Sequence, residues 1–126
     1  MVFKRIDHVE IIPANFEKTI KFYIDILGFK QKERMKVGAP PMEEIAFLTL
    51  NDTMIEIIRI KDPPPFTTPW KVGYCGIALE VTDMDKAVEY LKTKGIGIAQ
   101  GPITLGKSKR AEIRDPDGLT IELRQW

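Results

Sequence analysis

Residues 6–11, IDHVEI, and residues 73–81, GYCGIALEV, are two versions of one segment. That internal repetition limits the fold more than any other feature of the chain. Displacing the sequence by 68 sets His8 on Gly76, Ile11 on Leu79, Asn15 on Asp83, Phe16 on Met84, Lys18 on Lys86, Ile20 on Val88 and Tyr23 on Leu91. Displacing it by 66 sets Ala46-Phe47-Leu48 on Glu112-Ile113-Arg114, Asn51-Asp52 on Asp117-Gly118 and Met54-Ile55-Glu56 on Thr120-Ile121-Glu122. The second copy keeps the glutamate of the first and puts glycine where the first has histidine.

Each half reads as a strand, an amphipathic helix and three further strands. The first strands, about Arg5 to Ile12 and Tyr74 to Val81, lead into helices with Asn15 and Asp83 as N-cap candidates and Gly28 and Gly95 just past their ends. The stripes Phe16, Ile20, Tyr23, Ile24, Leu27 and Met84, Ala87, Val88, Leu91 have helical spacing, so each helix covers one face of a sheet. Strand-like runs follow at Phe29 to Met35, Glu43 to Leu50 and Thr53 to Ile60, then at Ile96 to Ala99, Ala111 to Arg114 and Thr120 to Arg124. Turn signals at Asn51-Asp52 and Asp115-Pro116-Asp117-Gly118 make the last two strands of each half a hairpin. The expected class is α+β: two tandem βαβββ modules, residues 1–60 and 73–126, with curved mixed sheets enclosing a cavity in one structural domain. Residues 61–72, with four prolines, form a stiff extended linker.

Strand alternation sorts the chemistry. If the helices take Val9, Ile11, Ile77 and Leu79, then His8 lies on the uncovered face. The same logic puts Glu56 and Glu122 there, each between two apolar neighbours given to the helix. A carboxylate in the middle of such a strand is costly to bury without a compensating partner, and two at mirrored positions ask for one explanation. Sheets curling toward each other would bring His8, Glu56 and Glu122 together. One imidazole and two carboxylates suit a divalent cation such as Ni, Zn, Co, Mn or Fe.

Nineteen Lys and Arg against eighteen Asp and Glu leave a net charge of +1, so the footprint of a nucleic-acid binder is missing. A single cysteine excludes an internal disulfide and a cysteine-built zinc site, and no long apolar run or leader is visible. The expectation is a cytoplasmic protein with a small-molecule partner, acting on neither nucleic acid nor membrane. Gly101 to Ser108 fits the spacing of a phosphate-binding loop, but a strand follows it where a helix is required, and that reading fails.

The layout together with IDHVEI, FYIDILGF at 22–29, MIEI at 54–57, GIALEV and DPDGLTIEL at 115–123 resembles the vicinal oxygen chelate superfamily, which includes glyoxalase I, methylmalonyl-CoA epimerase, extradiol dioxygenases and bleomycin- and fosfomycin-resistance proteins. The resemblance implies metal ligands at His8, Glu56 and Glu122, with a second-half histidine missing because position 76 is glycine. It implies a glyoxalase I-like lyase or isomerase, commonly a homodimer, in which Glu122 or Glu56 moves a proton through an enediolate of a substrate with vicinal oxygens. The competing expectation is a metal-free binding protein that sequesters a small ligand, since Gly76 removes a ligand. A third is an acyl-CoA epimerase, for which Lys107, Lys109 and Arg110 are the hint.

Glu10, Glu80, Arg110, Glu112 and Arg114 could share the cavity face, with solvated charge the expected state. The register of the last hairpin is open. A four-residue turn at Pro116 to Leu119 sets Ile113 opposite Glu122, and a shift by one turns Glu112 and Arg114 to the cavity. Cys75 is expected to face the helix as a small apolar residue. Phe66 and Trp70 are candidates for a rim or a subunit contact, and Trp126 for a contact with a neighbouring subunit.

Overall fold

The computed structural model describes residues 2–67 and 70–126. It contains two compact units, one ending at Pro65 and the other beginning at Phe66. Part of the proline-rich linker, Thr68 and Pro69, lies outside the described residues.

The first unit runs β1 (Val9–Ile11), α1 (Phe16–Lys21), a π-helical stretch (Phe22–Ile26), β2 (Lys30–Ala39), β3 (Met42–Leu50) and β4 (Thr53–Ile60). Its open sheet has the order β1-β4-β3-β2, with β1 parallel to β4 and the other pairs antiparallel. The Asn15 side chain caps α1 by accepting from the Lys18 amide at 3.0 Å. Where the apolar spacing predicts one helix, the chain widens after Lys21 into π turns. These keep Tyr23 fully buried, edge-on to Phe29 with ring centroids 5.6 Å apart. The helical layer seals Ala46, Leu48, Ile55 and Ile57, all buried. A charged belt ties α1 to this face: Arg34 donates to Glu17 and Glu44, Arg59 reaches Glu17, and both guanidinium groups sit about 5 Å from the Phe16 ring centre.

The second unit repeats the plan with β5 (Gly76–Glu80), α2 (Met84–Thr93), β6 (Gln100–Leu105), β7 (Ser108–Arg114) and β8 (Thr120–Gln125) in the order β5-β8-β7-β6. Asp83 caps α2 through the Lys86 amide, and Gly95 ends it at φ +76°. Ala111, Ile113, Ile121 and Leu123 form the buried layer. The architecture is therefore α+β, with two four-stranded mixed sheets and a helical layer on each. Among the described residues no helix is long and apolar enough to cross a membrane.

Two strand expectations change. The first strand is only Val9–Ile11, so His8 sits just before it rather than inside a strand from Arg5 to Ile12. The strand expected at Ile96 to Ala99 lies at Gln100–Leu105. The Gly-Lys-Ser segment is the tight turn between β6 and β7, where Leu105 pairs with Ser108.

The registers refine the repeat. Val9, Glu10 and Ile11 pair with Ile55, Glu56 and Ile57, and Ile77, Ala78 and Leu79 pair with Ile121, Glu122 and Leu123, in agreement with displacements of 68 and 66. Ala78 thus stands where the first unit has Glu10. On β3 and β7 the displacement is 65, because Phe47 faces Glu56 while Glu112 faces Glu122. The first hairpin turns on two residues between Leu50 and Thr53. The second closes on three: the Asp115 amide donates to the Leu119 carbonyl, the Asp115 carboxylate accepts from Asp117 and Leu119, and Gly118 takes φ +88°. One extra loop residue moves every β7 side chain to the other face relative to a displacement of 66.

Candidate functional site

In the first unit β1 and β4 run side by side, so Glu10 and Glu56 are in register on the face away from α1. His8 precedes β1 on the same side. Its Nε2 lies 3.1 Å from Glu56 Oε1 and 3.3 Å from Glu10 Oε2, and its Nδ1 lies 2.8 Å from Asp7 Oδ2. The Phe47 ring meets the imidazole edge-on at 5.5 Å and forms an apolar wall. Glu56 is buried, His8 is about three-quarters buried, and Asp7 and Glu10 are open to solvent.

Carboxylates only accept, so three around one imidazole favour its doubly protonated form. The His8 pKa is accordingly raised, first by its hydrogen bond to Asp7, with Glu10 and Glu56 adding to the effect. The same bond lowers the Asp7 pKa. Even with a charged imidazole, this corner carries more negative than positive charge. His8, Glu10 and Glu56 can each bring one ligand atom within 4.8 Å of the others, and they form the one such group among the described residues. The donor set fits a divalent cation of the first transition row.

The second unit uses the corresponding face differently. Glu122 is not free: Arg110 donates to its Oε1 at 2.9 Å and Arg124 to its Oε2 at 3.1 Å. Glu112, beside it on β7, takes a bond of 2.8 Å on each oxygen, one from Arg110 and one from Arg114. The solvated charge expected for Arg110, Glu112 and Arg114 is thus overturned. They form a partly buried ladder, and Glu112 itself is buried. The Arg110 bond holds the Glu112 carboxyl below the ordinary range, with Arg114 adding to it. Glu80 is exposed, as expected of solvated charge, whereas Glu10 is exposed but engaged by the His8 imidazole.

Gly76 pairs with Thr120 across β5 and β8. A Cβ there would stand 2.5 Å from the Thr120 carbonyl oxygen and 3.0 Å from Thr120 Cβ. Side chains that approach this closely are essentially excluded from a packed structure, so position 76 cannot hold a histidine on this backbone. The space in front is a pocket of about 230 Å³ lined by Trp70, Cys75, Ala78, Thr120 and the Arg110–Glu112–Glu122 ladder. Cys75 precedes β5, is exposed and lines this pocket, contrary to the expectation that it faces the helix. Phe66 lies near Gly118, and Trp126 carries the Arg124 guanidinium 5.1 Å above its ring.

Of the residues singled out in the sequence, His8 and Glu56 are thus together, and Glu122 is engaged by arginines within its own unit. Asp7 was missed as a partner of His8, and Glu10 was named only as a residue that could share the cavity face. The signal was present as the D-H-x-E spacing, in which Glu10 shares the His8 side of the strand.

The model of the Glyoxalase/Bleomycin resistance protein/Dioxygenase superfamily matches residues 5–123. The uncharacterized protein YwkD of Bacillus subtilis (strain 168) is 36% identical over 131 residues, which cover 98% of each chain. The lactoylglutathione lyase of Neisseria meningitidis serogroup A is 31% identical, over 96% of this chain and 90% of its own. The crystal structure of the glyoxalase family protein from Enterococcus faecalis superposes with a TM-score of 0.85 at 27% identity, covering 99% of this chain and 100% of that one.

Proposed function

We propose, for a chain that belongs to the glyoxalase/bleomycin resistance protein/dioxygenase superfamily, the work of a metal-dependent lyase or isomerase acting on a small substrate with two neighbouring oxygens. The observation that carries this reading is the meeting of His8 Nε2 and Glu56 Oε1 at 3.1 Å on the sheet face away from the helix. His8 and Glu56 would hold the cation, and Glu122, the second carboxylate expected from the sequence, would act as a base rather than a ligand because Arg110 and Arg124 take both of its oxygens. A divalent cation bound there supplies Lewis acidity to adjacent oxygens and makes the neighbouring C–H easier to deprotonate. Asp7 fixes the tautomer of His8 by accepting from Nδ1, which leaves Nε2 as the ligand atom. Phe47 and the buried surroundings of Glu56 keep water from part of the site. Glu56 or Glu122 would take the proton from the carbon beside a carbonyl and return it to the neighbouring carbon, the substrate passing through an enediolate. Arg110 and Arg124 set the orientation of the Glu122 carboxylate through both of its oxygens.

The likeness to lactoylglutathione lyases makes a hemithioacetal of glutathione and a 2-oxoaldehyde the first substrate to assay. Chelator-treated protein reloaded in turn with Ni²⁺, Co²⁺, Zn²⁺, Mn²⁺ and Fe²⁺ should isomerise it to the thioester with at least one of them. That activity should fall by about a hundredfold or more in Glu56→Gln. Absence of turnover on hemithioacetals and other vicinal-oxygen substrates with every metal would end the lyase reading.

A second reading has its own observation. The pocket beside Gly76 has no side chain from position 76 and an aromatic wall in Trp70, which suits binding of a small ligand without turnover. Saturable ligand binding by metal-free protein, with no catalysis, would favour sequestration.

A further inference from the structure

We infer that Glu10 is a metal ligand, completing with His8 and Glu56 a three-residue centre built entirely from the first unit. The inference rests on the metal-dependent reading above and specifies which residues hold the ion.

Four observations lead to it. Glu10 Oε2 lies 3.3 Å from His8 Nε2, and Glu56 Oε1 lies 3.1 Å from the same atom. Ligands about 2.1 Å from a metal are about 3.0 Å apart at right angles and about 3.4 Å apart in a tetrahedron, so each carboxylate stands at coordination-shell spacing from the imidazole nitrogen, and all three donors lie within 4.8 Å of one another. Second, register rather than chance places the carboxylates: Glu10 and Glu56 are paired residues of parallel strands, and His8 is two residues from Glu10. Third, the second unit cannot supply the missing imidazole, because Thr120 fills the space where a Cβ of residue 76 would go. Fourth, both oxygens of Glu122 are taken by Arg110 and Arg124, whereas Glu10 has no cation other than the imidazole bonded to it among the described contacts.

The two copies have therefore separated their roles. The first keeps His8, Glu10 and Glu56. The second has Gly76, Ala78 and an arginine-held Glu122 at the corresponding places. A cation in the first unit would replace the Nε2 proton and balance the excess negative charge, with water or substrate oxygens filling the remaining positions. One nitrogen and two carboxylate oxygens favour Mn²⁺, Fe²⁺, Co²⁺, Ni²⁺ or Zn²⁺ over softer ions.

The test is Mn²⁺ binding to the untagged full chain, followed by calorimetry and by the electron spin resonance of free Mn²⁺, with Co²⁺ spectra as a second probe. His8 is the only histidine, so a histidine tag must be absent. The wild type should bind one ion per chain. Glu10→Gln, Glu56→Gln and His8→Ala should each weaken binding at least tenfold, while Glu122→Gln stays within about twofold. Glu10 is exposed, so Glu10→Gln should fold normally, and an unchanged melting temperature checks this. Loss of binding in Glu122→Gln with wild-type affinity in Glu10→Gln would overturn the inference and leave the metal-dependent function standing. Absence of binding of Mn²⁺, Co²⁺, Ni²⁺, Zn²⁺ and Fe²⁺ alike in the wild type would overturn both.

Discussion

A methyl group at position 76 would stand 2.5 Å from a carbonyl oxygen, so the glycine is there for space rather than for an unusual backbone angle. Gly76→Ala should lower stability by about 1–3 kcal/mol in urea denaturation, although alanine is otherwise the better strand residue. An unchanged midpoint would mean that β5 and β8 separate freely at this point. At the other key residue, 15N spectra of histidine-labelled protein give a single pair of ring signals, because His8 is the only histidine. Its titration midpoint should lie above that of a free histidine, and Asp7→Asn should lower it, since the Asp7 bond is the largest cause of the raised value. The sign is that of a raised pKa: the stability this contact contributes is present below the unfolded histidine pKa and is lost as pH rises through the folded value. A midpoint indifferent to Asp7→Asn would remove Asp7 from its positioning role.

Among the elements, the helices are fixed at their starts by side-chain caps and at their ends by left-handed glycines. Asn15→Ala and Asp83→Ala should each cost about 1 kcal/mol, seen as lower denaturation midpoints, with Gly at either position costing only a few tenths. These caps, both helix stripes and the bounds of β4 are legible in the sequence because each depends on residues close together in the chain. The face of β7 is not. It depends on whether the loop before β8 has three or four residues, and Asp-Pro-Asp-Gly is compatible with both until Asp115 is seen bonding to Leu119. That one residue decides whether Glu112 and its arginines are surface charge or a buried ladder. The π turns after α1 escape for a related reason, since an added residue in a turn leaves the apolar spacing nearly unchanged. Asp7 escaped, and Glu10 was left as surface charge, because acidic residues beside a histidine at the start of a strand look like ordinary solvated charge.

For the molecule as a whole, near-neutral net charge conceals strongly organised charge. Arg34 holds Glu17 and Glu44 below the ordinary carboxyl range, and Arg110 does the same for Glu112. Carboxyls with depressed folded pKa contribute stability that is present above their unfolded value, about 4.3, and is lost as pH falls through the folded values. The carboxyl contribution to the urea midpoint should therefore hold from pH 7 to about 5 and fall steeply below about 4. Glu112→Gln should be less stable at pH 7 and decline less on acidification, and equal slopes for variant and wild type would contradict this account. Family membership and the α+β plan are legible at this scale because the repeat spans nearly the whole chain. The contact between Gly76 and Thr120 also limits how the second copy can be redesigned. Gly76→His alone should give no second imidazole ligand while Thr120 stays where it is, because the Cβ it adds would meet the Thr120 carbonyl before the ring is placed. Installing a matching histidine in the second copy therefore means rebuilding two strands at once, not one position.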